Sequence, residues 1–224
     1  CSAEVVSSTV PCSTKWMVGT VNSFYIGIVS TAIATALGTM AALGLSRPHM
    51  PYKPLIMSIL ISPMIVPLII TAAGMFFFYA RINLVYTFTG VILAHVALAT
   101  PFVVITVTAT LVGFDMNMVK AAQSLGAKPL RTFFKVIMPL ILPGIISGAL
   151  FAFITSFDEV VIVMFMASID QLTIPKQMWA GIRQEISPVI LCMATCLVIL
   201  SIVLLTTVEL LRRRSERLRG IKAR

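Results

Sequence analysis

Residues 113–157, GFDMNMVKAAQSLGAKPLRTFFKVIMPLILPGIISGALFAFITSF, carry the two signals that decide the fold. The second half, Val136 to Phe157, runs for 22 residues without a charged side chain. A helix needs about 20 such residues to cross a bilayer core, at about 1.5 Å of rise per residue. The first half is of another kind. Asp115 or Asn117 can cap a helix with the body Met118 to Leu125, Gly126 can stop it, and Pro129 lies beyond. Met118, Ala122 and Leu125 would share one side of that helix, with Lys120 and Gln123 facing elsewhere. Two turns of helix are not stable alone in water, so this one requires a partner surface. The small Ala121 and Ala122 would let it enter a groove closely.

Working outward, apolar segments run over about 22–45, 55–79, 85–112, 137–166 and 188–211, and each is long enough to cross as a helix. The chain is 58% hydrophobic and 11% charged, against roughly 25% charged for soluble globular chains. Lipid is the solvent this composition fits, which sets aside a soluble enzyme. The net charge of +9 would suggest nucleic acid if the bases were spread over a folded surface. They are instead grouped between segments. Arg47 and Lys53, then Lys120, Lys128, Arg131 and Lys135, then Arg212, Arg213, Arg214, Arg217, Arg219, Lys222 and Arg224 fall on one side of a five-crossing arrangement. That side holds 13 of the 17 bases, and Lys15, Arg81, Lys176 and Arg183 fall on the other. The positive-inside rule then puts the N-terminal end outside and the C-terminal tail in the cytoplasm.

This reading divides the chain into an extracytoplasmic leading segment 1–21, a transmembrane domain 22–211 with a cytoplasmic loop 113–136, and a basic tail 212–224. Small residues crowd the first crossing (Ser30, Thr31, Ala32, Ala34, Thr35, Ala36, Gly38), as in a packed bundle whose backbones approach closely. On the outer side, Ile174, Met178 and Ile182 recur every four residues after Pro175. With Trp179 they suit a short amphipathic helix at the interface, though a plain interfacial loop fits nearly as well. Cys192 and Cys196, a turn apart in an apolar run, read as buried packing thiols. Cys1 and Cys12 could pair in an oxidising compartment but equally read as free thiols.

Three polar residues interrupt the apolar segments. Asp158 and Glu159 follow the uncharged run, and a lipid-facing acid at a helix centre costs about 2.5–3.5 kcal/mol, so they either cap a broken helix or line a cavity. A carboxylate on a route across the membrane would favour a cationic solute. His95 packs in the core with one ring hydrogen bond, or lies on the same route. Pro63, Pro67 and Pro101 kink or locally open their helices. His49 and His95 are too few and too separated for a metal cluster. No Gly-rich loop ends in Lys-Ser or Lys-Thr, and no nucleophile has an oriented base, so no enzyme is expected in this chain.

The loop resembles that of binding-protein-dependent ABC importer permeases, whose pattern is Glu-Ala-Ala, three residues, Gly, nine residues, Ile, one residue, Leu-Pro. Lys120, Ala121, Ala122, Gly126, Val136, Met138 and Pro139 occupy those places at the same spacing, with Lys120 in place of the acid. The likeness extends over about 22–213 and is nearest to spermidine and putrescine permeases. It includes SFDE at 156–159, Ile174 with Pro175, and ISP at 186–188. It implies an all-α type I permease fold in the bacterial inner membrane, usually with one more crossing ahead of the five. It implies a related permease subunit, a pair of ATPase subunits that bind ATP and Mg, a periplasmic solute-binding protein, surrounding lipid and no nucleic acid. Lys120, Ala121, Ala122, Gly126 and Pro139 would couple to the ATPases, and Asp158, Glu159 and His95 are candidates for the substrate path. An ATP-independent carrier or channel for a small cation is the alternative, but a carrier has no need of a short docking helix.

Overall fold

The computed structural model describes residues 3–47, 50–112, 117–184 and 188–218, which are helical with short connections. The order is α1 (Ala3–Leu45), α2 (Lys53–Ile65), α3 (Leu68–Arg81), α4 (Phe88–Val112), α5 (Asn117–Ser124), α6 (Pro129–Thr132), a π-helical turn (Phe133–Ile137), α7 (Met138–Phe157), α8 (Val161–Met166), α9 (Ile174–Gln184) and α10 (Pro188–Leu218). Asp115, His49, Cys1, Ile186 and Ser187 lie outside the described residues, as does the tail beyond Leu218.

Helices α1, α4 and α7 pack against one another and form the core. Small residues make this possible. A Cβ added at Gly38 would lie 2.7 Å from the Cβ of Val103, and one at Gly148 would lie 3.0 Å from the Cα of Val103. Ala34, Ala99 and Ala152 are fully buried in the same cluster. Without a hydrophobic force between helices in lipid, such close backbone approach supplies the dispersion contacts that hold the bundle. Rings tie one end of the bundle: Phe24 lies edge-on to Phe157 at 5.0 Å, and Tyr25 edge-on to Phe88 at 5.7 Å.

Four helices among the described residues are long and apolar enough to cross a membrane, and the bent pair α2–α3 makes up to five if it counts as one span. The segment expected over 55–79, with kinks or openings at Pro63 and Pro67, consists of two pieces meeting at 104°. Pro67 is the cause. Its ring excludes the α region for the residue before it, and Val66 is extended at φ −70°, ψ 135°. The 137–166 segment is also broken, at Asp158–Val160, and the apolar helical stretch ahead of the break begins at Pro129, within the expected loop 113–136. Pro139 explains the π turn there. It has no N–H to offer the carbonyl a turn before it, and Met138 N–H bonds five residues back to Phe133 O.

Two further expectations change. Helix α1 starts at Ala3, so most of the leading segment is continuous with the first crossing. Cys192 and Cys196 are exposed rather than buried, because only 6% of the α10 stretch Pro188–Thr207 is covered by the rest of this chain. Helix α10 stands at the edge of the bundle, where small apolar side chains meet lipid or another subunit.

Candidate functional site

The segment after α4 folds as its punctuation demands. Gly126 takes φ +80°, the left-handed conformation that favours glycine. Ala127 N–H bonds to Ala122 O at 3.1 Å and Gly126 N–H to Gln123 O at 2.9 Å, the paired closure of a Schellman stop on α5. Val119 is the residue of α5 that turns inward, and the helix rests on α6 and the π turn. Ala122 is half-buried, while Lys120, Ala121, Gly126 and Pro139 are exposed. Met118 and Leu125 do not form the inward face. They are exposed, together with Leu130 and Phe134, and Leu125 is 89% open. Four large apolar side chains on one short polar segment leave a surface for a partner.

The two broken crossings meet. Helix α3 packs on α8, and an open cleft of about 380 Å³ is lined by Leu68 from the start of α3 and by Ile154, Thr155, Asp158, Glu159, Val160 and Val161 around the α7–α8 break. The two acids that were equivalent in sequence differ here. Glu159 is 7% exposed, and its Oε1 accepts a hydrogen bond from Ile162 N–H at 2.9 Å, capping α8. Asp158 is exposed at the C-cap of α7, whose closing bond runs from Asp158 N–H to Ile154 O at 3.0 Å. The carbonyl end of a helix carries roughly half a negative charge. Asp158 adds a carboxyl group beside it.

His95 does not line the cleft. It is 1% exposed, and its Nδ1 lies 2.8 Å from Ser156 Oγ on α7. Ser156 Oγ is in turn 2.8 Å from Ser30 Oγ on α1. This buried network joins the three core helices. The sequence reading anticipated the single ring bond but not the serines, which look like ordinary small packing residues in a helix.

On the side of α9, Asn22 Nδ2 donates to Asp170 O at 2.8 Å and Leu172 O at 3.0 Å, and Ile174 N–H donates to Ser23 Oγ at 2.9 Å. These bonds seat the α8–α9 connection on α1. Lys176 Nζ caps α8 through Ala167 O at 2.8 Å, and burial lowers the pKa of its ammonium. Helix α9 is the short helix expected there, with Ile174 buried and Ile182 exposed. Arg183 sits over the Trp179 ring, 5.7 Å from its centroid. Among the described residues no group of three or more His, Cys, Asp or Glu could hold a metal.

A bundle of long apolar helices, two of them interrupted, with an exposed and sharply stopped short helix is the architecture of a multi-pass membrane protein. Residues 34–217 match the family described as binding-protein-dependent transport system inner membrane component, and the chain belongs to that family. It is 29% identical over 196 residues to the spermidine/putrescine transport system permease protein PotC of Haemophilus influenzae, covering 88% of this chain and 76% of that one. It is 38% identical over 103 residues to the putrescine transport system permease protein PotI of Escherichia coli K12, covering 46% and 37%. The inward-facing MetNI methionine ABC transporter matches with a TM-score of 0.65 at 19% identity, over 95% of this chain and 99% of that chain. The fold is the type I ABC-importer permease fold. The chain is a non-catalytic, multi-pass inner-membrane permease subunit of an ABC importer.

Proposed function

We propose that this permease conducts small organic cations of the putrescine and spermidine class, with the Asp158 carboxylate as their contact and Glu159 as the cap that holds the broken helix open. The observation that carries this reading is the exposed acid at the carbonyl end of α7, in a cleft where two interrupted crossings meet. Interrupted helices are tolerated at membrane depth where they line a cavity. One carboxylate beside a helix end gives a shallow site, as a conducting path requires, since too deep a well would trap the solute. The resemblance to polyamine permeases supports the same class.

In this reading the surface of Lys120, Ala121, Ala122 and Gly126 on α5, with Pro139 setting the angle of α7, docks on a pair of ATPase subunits that handle ATP and Mg. A related permease covers the exposed flank, a soluble binding protein delivers substrate outside, and the N-terminal end faces outward with the basic tail inside. His95 stands behind the cleft.

The test is transport by reconstituted complexes carrying Asp158→Asn or Glu159→Gln, beside their basal ATP hydrolysis. Asp158→Asn is expected to lower uptake about tenfold, the order expected for one lost charge contact, more for spermidine than for putrescine, with hydrolysis and assembly kept. Glu159→Gln keeps an accepting oxygen for Ile162 N–H and is expected to transport within about twofold of the parent. Parental uptake by Asp158→Asn would end the assignment of this acid to the path.

A further inference from the structure

The direction of the buried hydrogen-bond chain can be worked out from its end. Ser30 has one hydroxyl proton, and its 2.6 Å bond to the carbonyl oxygen of Ile26 uses it. Ser30 Oγ must then accept from Ser156 Oγ–H, and Ser156 Oγ must accept from the Nδ1–H of His95. With the Ser30 proton on the Ile26 carbonyl, the chain runs from His95 to Ser156 to Ser30 to the α1 backbone, and His95 takes the Nδ1–H tautomer. Its Nε2 is buried, and no group among the described residues bonds to it.

Ser156 belongs to the last turn of α7, two residues before Asp158, and follows Ile154 and Thr155 of the cleft wall. At the end of α7 the helix gives way to the break; the bond from Asp158 N–H to Ile154 O closes it, and the side-chain bonds of Ser156 tie this last turn to its neighbours. His95 reaches that anchor from α4 and Ser30 from α1.

We infer that His95 is a positioning residue for the cleft, donating through Nδ1–H to Ser156 so that the last turn of α7 holds the Asp158 carboxylate toward the passing cation. It never touches the solute. This assignment rests on the reading of Asp158 as the cation contact, but the placement of that side chain can be measured without it.

Four substitutions in the complete reconstituted transporter make the test: His95→Leu, which removes the donor; Ser156→Ala, which removes the link with almost no change of volume; His95→Asn, whose amide N–H can replace Nδ1–H; and the Leu/Ala double variant. Putrescine and spermidine uptake are read as KM and kcat. Separately, Asp158→Cys in a background lacking the four native cysteines is titrated with a cationic and an anionic methanethiosulfonate reagent, with and without the His95 changes. The expected result is a rise in KM of about fivefold in His95→Leu and Ser156→Ala with kcat within about twofold, no further rise in the double variant, and recovery in His95→Asn. The labelling rate at position 158 should change in His95→Leu and return in His95→Asn. Unchanged KM and unchanged labelling in both single variants would overturn the inference, as would loss of assembly in both, which marks a purely structural network. If Asp158→Asn transports normally while labelling still follows His95, the polyamine-contact reading fails and the positioning role stands.

Discussion

Glu159 and Asp158 are adjacent, yet the fold gives them different surroundings. The first residue turns inward onto the N-terminus of α8 and the second points into open space. Removing the cap altogether, in Glu159→Ala, leaves Ile162 N–H buried without its acceptor and is expected to cost about 1 kcal/mol, in line with other lost caps. A lowered unfolding temperature of the detergent-solubilised complex, with the temperature of Asp158→Ala unchanged, would separate cap from contact. Gly38 is a second residue whose role is set by its neighbour. Any side chain there meets Val103, so Gly38→Leu should force α1 and α4 apart, with overpacking of about 1–3 kcal/mol read as a lower yield of assembled complex.

At the scale of the element, α5 is designed to end abruptly. Its Schellman closure places Gly126 at φ +80°, which a proline ring locked near −65° cannot adopt. Gly126→Pro should therefore unwind the end of α5, and Ala122→Trp should lift it from its half-buried seat, while the crossings insert as before. Both variants are expected to appear in the membrane at parental levels but to retain several-fold less ATPase on purification. Co-purification and substrate-stimulated hydrolysis at the parental level in both would remove α5 from the coupling path. The π turn Phe133–Ile137 makes α6 continuous with α7, and α5 packs against both α6 and that turn.

For the whole molecule, the consequence of the 13-to-4 division of bases is an orientation. Single cysteines at Met178 on α9 and at Ser215 near the end of α10, in a cysteine-free background, should respond differently to an impermeant thiol reagent added outside intact cells. Labelling of the first alone is expected; labelling of Ser215→Cys from outside would invert the arrangement.

The hydrophobic segments, the short helix with its glycine stop, and the presence of two acids at the end of the fourth segment were all legible in the sequence. Each is set by local chemistry: length of apolar run, backbone conformation at Gly126, and the cost of charge in lipid. Breaks could be suspected at Pro67 but their angle could not, because a proline states which conformation is lost and neighbouring helices decide where the chain goes next. The inward turn of Val119 and the different burial of Asp158 and Glu159 were likewise undecided by pattern, and Cys192 and Cys196, read as buried, are exposed. So was the bond from His95 through Ser156 to Ser30, whose members are 61 and 126 residues apart along the two links. Composition and periodicity fix what each segment must be, since those depend on neighbours in the chain. Which polar atoms meet depends on how three helices dock, and only the tertiary structure sets that.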